Sequence, residues 1–150
     1  MSDEAQTPLL VMKRIDGVDP GVDRGDGDPL DILDEVEASV PVRTARTLVA
    51  VAGTPTTIQA IALGLSFYDP EAIHRSWLSV VEAERVLEEL AKMTTAERSA
   101  IPVMAPGRAD VIVAGAVILV EVMRRFGFER ALVSETDILD GLALELLATL

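Results

Sequence analysis

Apolar positions recur with helical spacing in much of the chain. The clearest case is SVVEAERVLEELAKM, residues 79–93, where the apolar side chains fall on one face. Ser79 can cap this helix, and Glu82 three residues later completes a capping box. The helix over residues 106–127 is apolar all round in its middle, which predicts a central buried helix. Helical spacing and start signals also predict helices at 29–40, 55–64, 94–101 and 136–150, and Gly127 is predicted to end the helix over 106–127. The helix at 94–101 repeats the capping signal, with Thr94 or Thr95 as the cap and Glu97 or Arg98 in the first turns.

Two apolar runs indicate strands. RTLVAVAG, residues 46–53, is almost continuously apolar, which is typical of a strand buried on both faces of a parallel or mixed sheet. RALVSE, residues 130–135, is the second run, and residues 73–78 offer a short extended piece. PLLVMKRI, residues 8–15, is either a strand or a helical turn, since it is too short for periodicity to decide. This order of elements predicts a helix-rich α/β fold with a small mixed sheet.

A stretch rich in Gly, Pro and Asp, residues 16–29, is typical of a loop or linker. We therefore expect an acidic, poorly ordered segment over residues 1–28 and a single α/β domain over residues 29–150. A calcium loop of the EF-hand type is disfavoured, because Leu30 occupies the third ligand position. The RGD triplet at 24–26 is assigned no function.

The composition narrows the class of protein. The net charge of −12 makes nucleic acid a poor partner, so any bound anion needs local donors. The longest uncharged apolar run, residues 111–120, is about half of the ~20 residues that a membrane span needs. There is no cysteine, which excludes disulfides and thiolate metal sites and is compatible with a reducing compartment. We expect a cytoplasmic protein without a membrane partner.

The candidate chemistry lies where the first long strand meets the next helix, in AGTPTTIQ. Free backbone N–H groups and the partial positive charge of the helix N-terminus favour a phosphate there. The glycine and the threonine hydroxyls suit close approach and hydrogen bonding, but the same residues also cap helices for purely structural reasons. Both interpretations stay open on these residues alone, and no Walker motif is present.

Three ordered segments resemble the Ppx/GppA phosphatase family: AGTPTTIQAIALGLSFYDPEAIHRSWLS, PGRADVIVAGAVIL and VSETDILDGL. They span residues 46–147. This family comprises exopolyphosphatases and guanosine pentaphosphate phosphohydrolases of the actin-like, sugar-kinase ATPase superfamily. The resemblance implies part of an actin-like (ribonuclease H-like) domain, namely the second of two such domains that face each other across a cleft.

The resemblance also implies a set of site residues. Arg108, paired with a carboxylate, and Asp110, capping the central helix, would support the site. No catalytic or metal-ligating residue is assigned. Mg²⁺ is implied as a cofactor of the complete active site, and we expect none to be held firmly by this chain alone. The implied phosphate-binding residues are Gly53, Thr54, Thr56 and Thr57.

Other family features do not occur in these 150 residues. They are the D-x-G-S-N-S-type loop, the catalytic Glu and the G-G-G-S-T-E loop. Near the C-terminus, the family usually has a basic residue in the pattern L-R-E-G, whereas here Leu139 and Asp140 precede the glycine. The resemblance therefore implies the phosphate-binding half of a phosphoanhydride hydrolase, acting on polyphosphate or a guanosine polyphosphate and inactive without the missing first domain. The alternative is a non-catalytic binding module or a homodimerisation module.

Two further side chains attract attention in the connector after the second predicted helix. His74 is the only histidine, and we expect a structural or solvent-facing role because no catalytic partner lies nearby in sequence. Trp77 is expected to be a core anchor.

Overall fold

A computed structural model describes residues 9–12 and 29–148. It contains a four-stranded sheet in the order β1-β2-β4-β3. β1 and β4 both run parallel to β2, and β3 runs antiparallel to β4. The predicted α/β class with a small mixed sheet is confirmed. The strands are β1 Leu9–Met12, β2 Thr47–Val51, β3 Trp77–Ser79 and β4 Arg130–Ser134.

The described ranges also contain seven helices and a 3₁₀ turn at Val42–Thr44. The predicted capping box at Ser79 with Glu82 is confirmed, and of the caps left open for the next helix the structure has Thr94 with Glu97. In both, the hydroxyl accepts from the backbone N–H of the glutamate while the glutamate side chain reaches back to the cap. The helices are α1 Pro29–Ser39, α2 Gly53–Ala62, α3 Pro70–Ile73, α4 Val80–Lys92, α5 Thr95–Ser99, α6 Ile112–Phe126 and α7 Ile138–Ala148.

The core lies on one face of the two central strands. Leu48 of β2 pairs with Ala131 of β4, Ala50 pairs with Val133, and all four are fully buried. The residues between them, Val49 of β2 and Leu132 of β4, are only half-buried, although Val51 at the end of β2 is buried. The prediction of full burial on both faces is therefore wrong, because the hydrophobic core packs against one face only.

The central helix α6 also has one exposed face. Leu119 and Met123 are fully buried, whereas Val117 and Ile118 are 43% and 57% exposed. The prediction of a helix buried all round is wrong on this point, because apolar residues on its outward face meet no core. The helix also begins at Ile112 rather than at residue 106, and it ends at Gly127, whose φ of 76° is the left-handed cap predicted there.

The apolar run at residues 8–15 contributes a strand. Leu9–Met12 pairs in parallel with Thr47–Ala50 of β2, so the strand interpretation is confirmed over these four residues. The RGD triplet, residues 16–28 of the acidic linker and the first part of the disfavoured calcium loop lie outside the described residues, whereas Leu30 lies in α1. The domain boundary at residue 29 stays a prediction.

Trp77 differs from its expected role. β3 is an edge strand, and along it Leu78 is buried while Trp77 is 42% exposed. The guanidinium of Arg130 instead stacks over the indole, 4.2 Å from the ring centroid. The prediction of a core anchor is therefore wrong, because alternation along the strand directs Leu78 inward and Trp77 outward.

None of the helices described here is both long and apolar enough to cross a membrane.

The link between β2 and α2 is strained. Ala52 has φ 72° and ψ −178°, a conformation that is almost confined to glycine and costs about 1–3 kcal/mol in other residues. We expect Ala52→Gly to raise the free energy of unfolding by about 1 kcal/mol, measured by urea denaturation. Ala114→Gly, on the exposed side of α6, is the control and should lower that free energy by about 1 kcal/mol. A loss of stability in Ala52→Gly would contradict the inferred strain.

Candidate phosphate-binding site

The candidate site lies at the carboxyl edge of the sheet. β2 and β4 are parallel neighbours, so the residues that follow them meet at this edge. α2 begins two residues after the end of β2, and Glu135 follows β4 directly. Ligands of open α/β sheets bind at this edge, outside the carboxyl ends of the strands.

The predicted turn is the first turn of helix α2. The helix begins at Gly53, and the amides of Gly53 and Thr54 have no intrahelical acceptor at these positions. Within the described ranges, no other group accepts from them either. Thr56 N donates to Ala52 O over 3.4 Å, which is the start of the helical ladder. Two main-chain donors are therefore free at a helix N-terminus, where partial positive charge favours an anion.

The three threonine side chains face the protein. Thr54, Thr56 and Thr57 are 5%, 2% and 0% exposed. A Cβ placed on Gly115 of α6 would lie 2.7 Å from both Oγ1 and Cγ2 of Thr54, so the two helices meet closely at this point. The Thr56 hydroxyl donates to Gly53 O over 3.3 Å. The role of these threonines in phosphate binding stays a prediction, and the donors that this geometry leaves open are main-chain amides.

Arg108 lies directly against this turn. Its Nη1 donates to Thr57 Oγ1 over 2.8 Å. A Cβ on Gly53 would lie 2.1 Å from Arg108 Nη2, so glycine is what lets the guanidinium approach the helix start. Among the described residues Arg108 makes no ion pair, and the predicted carboxylate partner is therefore wrong. A guanidinium has five N–H donors, so most of them remain available.

Asp110 does not cap α6. The residue before that helix is Val111, and no side chain accepts a capping bond there. The predicted cap is wrong because the helix begins two residues after Asp110, which places the carboxylate outside the capping position. The side chain of Asp110 is exposed.

Tyr68 and Glu135 belong to the same neighbourhood and were not predicted as site residues, although both lie in segments that carry the family resemblance. Tyr68 Oη donates to Glu135 Oε1 over 2.7 Å. Partial burial raises the pKa of Tyr68, and Glu135 raises it further, while the Thr56 hydroxyl and the charge of Arg108 oppose the shift. Arg108, Tyr68 and Thr56 therefore interact at one place. Their proximity depends on contacts between residues distant in the chain, which sequence patterns do not show.

His74 has the structural role that was predicted for it. Its Nδ1 accepts a hydrogen bond from the backbone N–H of Glu135 over 3.2 Å. This bond holds the start of the β4–α7 connection and so helps to place Glu135 beside Tyr68.

The described residues offer no cluster of three or more His, Asp or Glu side chains that could hold a metal ion. The groups around the start of α2 are hydroxyls, amides and a guanidinium, of which the guanidinium repels a cation, and the nearby carboxylate of Glu135 is a single one that is hydrogen-bonded to Tyr68. This donor set does not fit Mg²⁺.

The fold and the open carboxyl edge define an α/β domain of the actin-like class. A profile of the Ppx/GppA phosphatase family matches residues 31–150, and the chain belongs to that family. Exopolyphosphatase 2 of Mycobacterium tuberculosis is 43% identical over 118 residues, which cover 76% of this chain and 37% of that protein. A bifunctional 3-dehydroquinate synthase/phosphatase of Fusobacterium nucleatum is 37% identical over 99 residues, which cover 66% of this chain and 15% of that protein.

The chain is also similar to solved structures of this kind of protein. An exopolyphosphatase-like protein matches with a TM-score of 0.72 at 32% identity, over 78% of this chain and 40% of the other. A Ppx/GppA family member from Aquifex aeolicus matches with a TM-score of 0.66 at 22% identity, over 80% of this chain and 40% of the other, which shows the fold alone. The chain thus spans well under half the length of these relatives.

Proposed function

We propose that this chain provides the phosphate-binding half of a phosphoanhydride hydrolase of the exopolyphosphatase or guanosine pentaphosphate phosphatase type. The observation that carries the proposal is the guanidinium of Arg108 lying against Gly53, beside two free amides at the start of α2. A cation and main-chain donors converging at the carboxyl edge of a sheet are suited to a phosphoryl group. They act locally, which matters because the chain carries a net charge of −12.

The role of these residues is to bind and orient the terminal phosphoryl group. The Gly53 and Thr54 amides would donate to its oxygens, and Arg108 would neutralise charge that develops as the anhydride bond breaks. The hydrogen bond from Arg108 to Thr57 orients the guanidinium in advance, so little reorganisation is needed on binding. Tyr68 donates a hydrogen bond to Glu135 and so fixes the position of that carboxylate.

Hydrolysis needs more than this set of donors. An attacking water must be oriented, and the family resemblance assigns the catalytic Glu and a second phosphate loop to the first actin-like domain. We therefore propose that these 150 residues bind polyphosphate or a guanosine polyphosphate but do not hydrolyse it alone. The proposed compartment is a reducing cytoplasm. Pairing with the first domain would complete the site.

A second candidate function is a non-catalytic module that forms homodimers. Helix α7 supports it, because none of its described side chains is buried. Leu144 and Leu147 of this helix are 68% and 66% exposed, and such apolar surface marks an interaction site.

Titration of the purified chain with inorganic tripolyphosphate distinguishes these functions. We expect the amide resonances of Gly53 and Thr54 to shift on binding. We expect phosphate release far below about 1 per second, a low rate for an enzyme. Turnover at that rate or faster would overturn the proposed inactivity. Unchanged Gly53 and Thr54 resonances, with a dimer in light scattering, would favour the second candidate.

A further inference from the structure

A second charged site lies at the opposite edge of the sheet, where β2 and β4 begin. A groove of about 440 Å³ opens there, which is within the usual volume of small-molecule sites. We call it the arginine groove. Its lining includes Arg43, Arg46, Arg130, Glu129, Trp77 and Phe128.

The three arginines of the groove differ in what they contact. Arg43 donates to a carboxylate oxygen of Glu37. Arg130 stacks on Trp77, and this contact holds the flat face of the guanidinium while its N–H edges stay free to donate. Arg46 forms no ion pair with any described residue, and neither does Arg130.

Such unpaired arginines stand out in an acidic chain. The sequence has 25 acidic and 13 basic residues, so carboxylates are abundant. At the nearby end of α6, Arg124 pairs with Glu84 and Arg125 pairs with Asp34. The groove arginines Arg46 and Arg130 are left without such a partner and together form a positive patch.

Two features of the groove oppose the binding of an anion: the carboxylate of Glu129 and the C-terminus of helix α6. Glu129 contributes one negative charge to the lining, against the two unpaired arginines Arg46 and Arg130, since Arg43 is paired with Glu37. The C-terminus of α6 also faces this region, and two of its last carbonyls are satisfied: Gly127 N donates to Arg124 O over 3.3 Å and Phe128 N donates to Met123 O over 2.8 Å. The balance of the lining stays positive.

We propose that the arginine groove binds a small anion with adjacent phosphate groups. Arg46 and Arg130 would donate to neighbouring phosphate oxygens in the forked geometry that suits a guanidinium, with the indole of Trp77 supporting Arg130 from behind. The groove is separated from the start of α2 by the length of β2, about 15 Å for five residues. This site is therefore independent of the function proposed above.

Titration with inorganic tripolyphosphate tests the groove. We expect the amide resonances of Gly127 and Phe128 and the fluorescence of Trp77 to change and saturate. Arg46→Gln and Arg130→Gln should each weaken this binding by about tenfold, the value of one charge-assisted hydrogen bond. Glu129→Gln should tighten it, since a like charge is removed. Added NaCl should weaken it.

Two variants serve as controls. Arg85→Gln removes an arginine that pairs with Glu89 on the exposed surface of α4, and it should leave the groove affinity unchanged. Arg108→Gln should move the response of Gly53 to higher tripolyphosphate concentration and leave that of Gly127 unchanged, which separates the two sites. Unshifted groove resonances, or an Arg46→Gln, Arg130→Gln double variant that folds normally and binds as tightly as the parent, would overturn the proposal.

Discussion

Replacing Arg108 with Gln should weaken tripolyphosphate binding at the start of α2 by about ten- to a hundredfold. Its guanidinium lies against Gly53 and is held by Thr57 Oγ1 at 2.8 Å, so it is the one side-chain cation in contact with this turn among the described residues. A hydrogen bond to a charged group contributes about 1.5–3 kcal/mol, which corresponds to that loss of affinity. Calorimetry gives the affinity, and the Gly53 amide resonance reports the site.

Related variants separate charge from geometry. Arg108→Lys keeps the cation without the planar fork and should bind with intermediate affinity. Thr57→Val removes the acceptor that orients the guanidinium, and it should weaken binding less than Arg108→Gln does. Arg85→Gln, far from this turn in sequence and paired with Glu89, is the control for a general loss of charge. Parental affinity in Arg108→Gln, with the Gly53 shift intact, would show that the guanidinium has no part in binding.

Replacing Gly115 with Ala should lower the free energy of unfolding by about 1–3 kcal/mol, measured by urea denaturation. The added Cβ would lie 2.7 Å from both Oγ1 and Cγ2 of Thr54, which is closer than side chains approach. Since Thr54 is 5% exposed and α2 packs on α6, the helices must separate to relieve the overlap. The usual gain from Gly to Ala inside a helix reduces the loss but does not cancel it.

A double variant tests the cause directly. Thr54→Ala removes the two atoms that clash, so Thr54→Ala combined with Gly115→Ala should recover much of the lost stability, giving a favourable coupling energy. Gly141→Ala in α7 is the matched control, because a Cβ there meets nothing within 4 Å. It should be neutral or slightly stabilising. A Gly115→Ala variant as stable as the parent would contradict the close approach of α2 and α6.

Local signals in the sequence predicted the local elements well. The helices with capping boxes at Ser79 and Thr94 are confirmed, as is the left-handed glycine that ends α6 at Gly127. These features depend on residues within a few positions of one another, so they can be predicted from the sequence. The family resemblance, carried by longer ordered segments, is confirmed by the match over residues 31–150.

Features that depend on distant partners were predicted less well. The run at residues 8–15 was left open between strand and helix, because only its pairing with β2 makes it a strand. Trp77 is exposed and stacked on Arg130, since it lies outward on an edge strand. The outward face of α6 is exposed because the core meets only one side of that helix.

At the candidate site, the sequence by itself determined the strand and the glycine, but it predicted the helix to begin at residue 55, whereas α2 begins at Gly53 and leaves the amides of Gly53 and Thr54 free. Only the tertiary structure decided which side chains join them: Arg108 reaches Thr57 across 51 residues, and Tyr68 reaches Glu135 across 67. The physical reason is the range of each interaction. Helix starts are set by neighbouring backbone groups, whereas the contacts of a side chain are set by how the helices and strands pack in space.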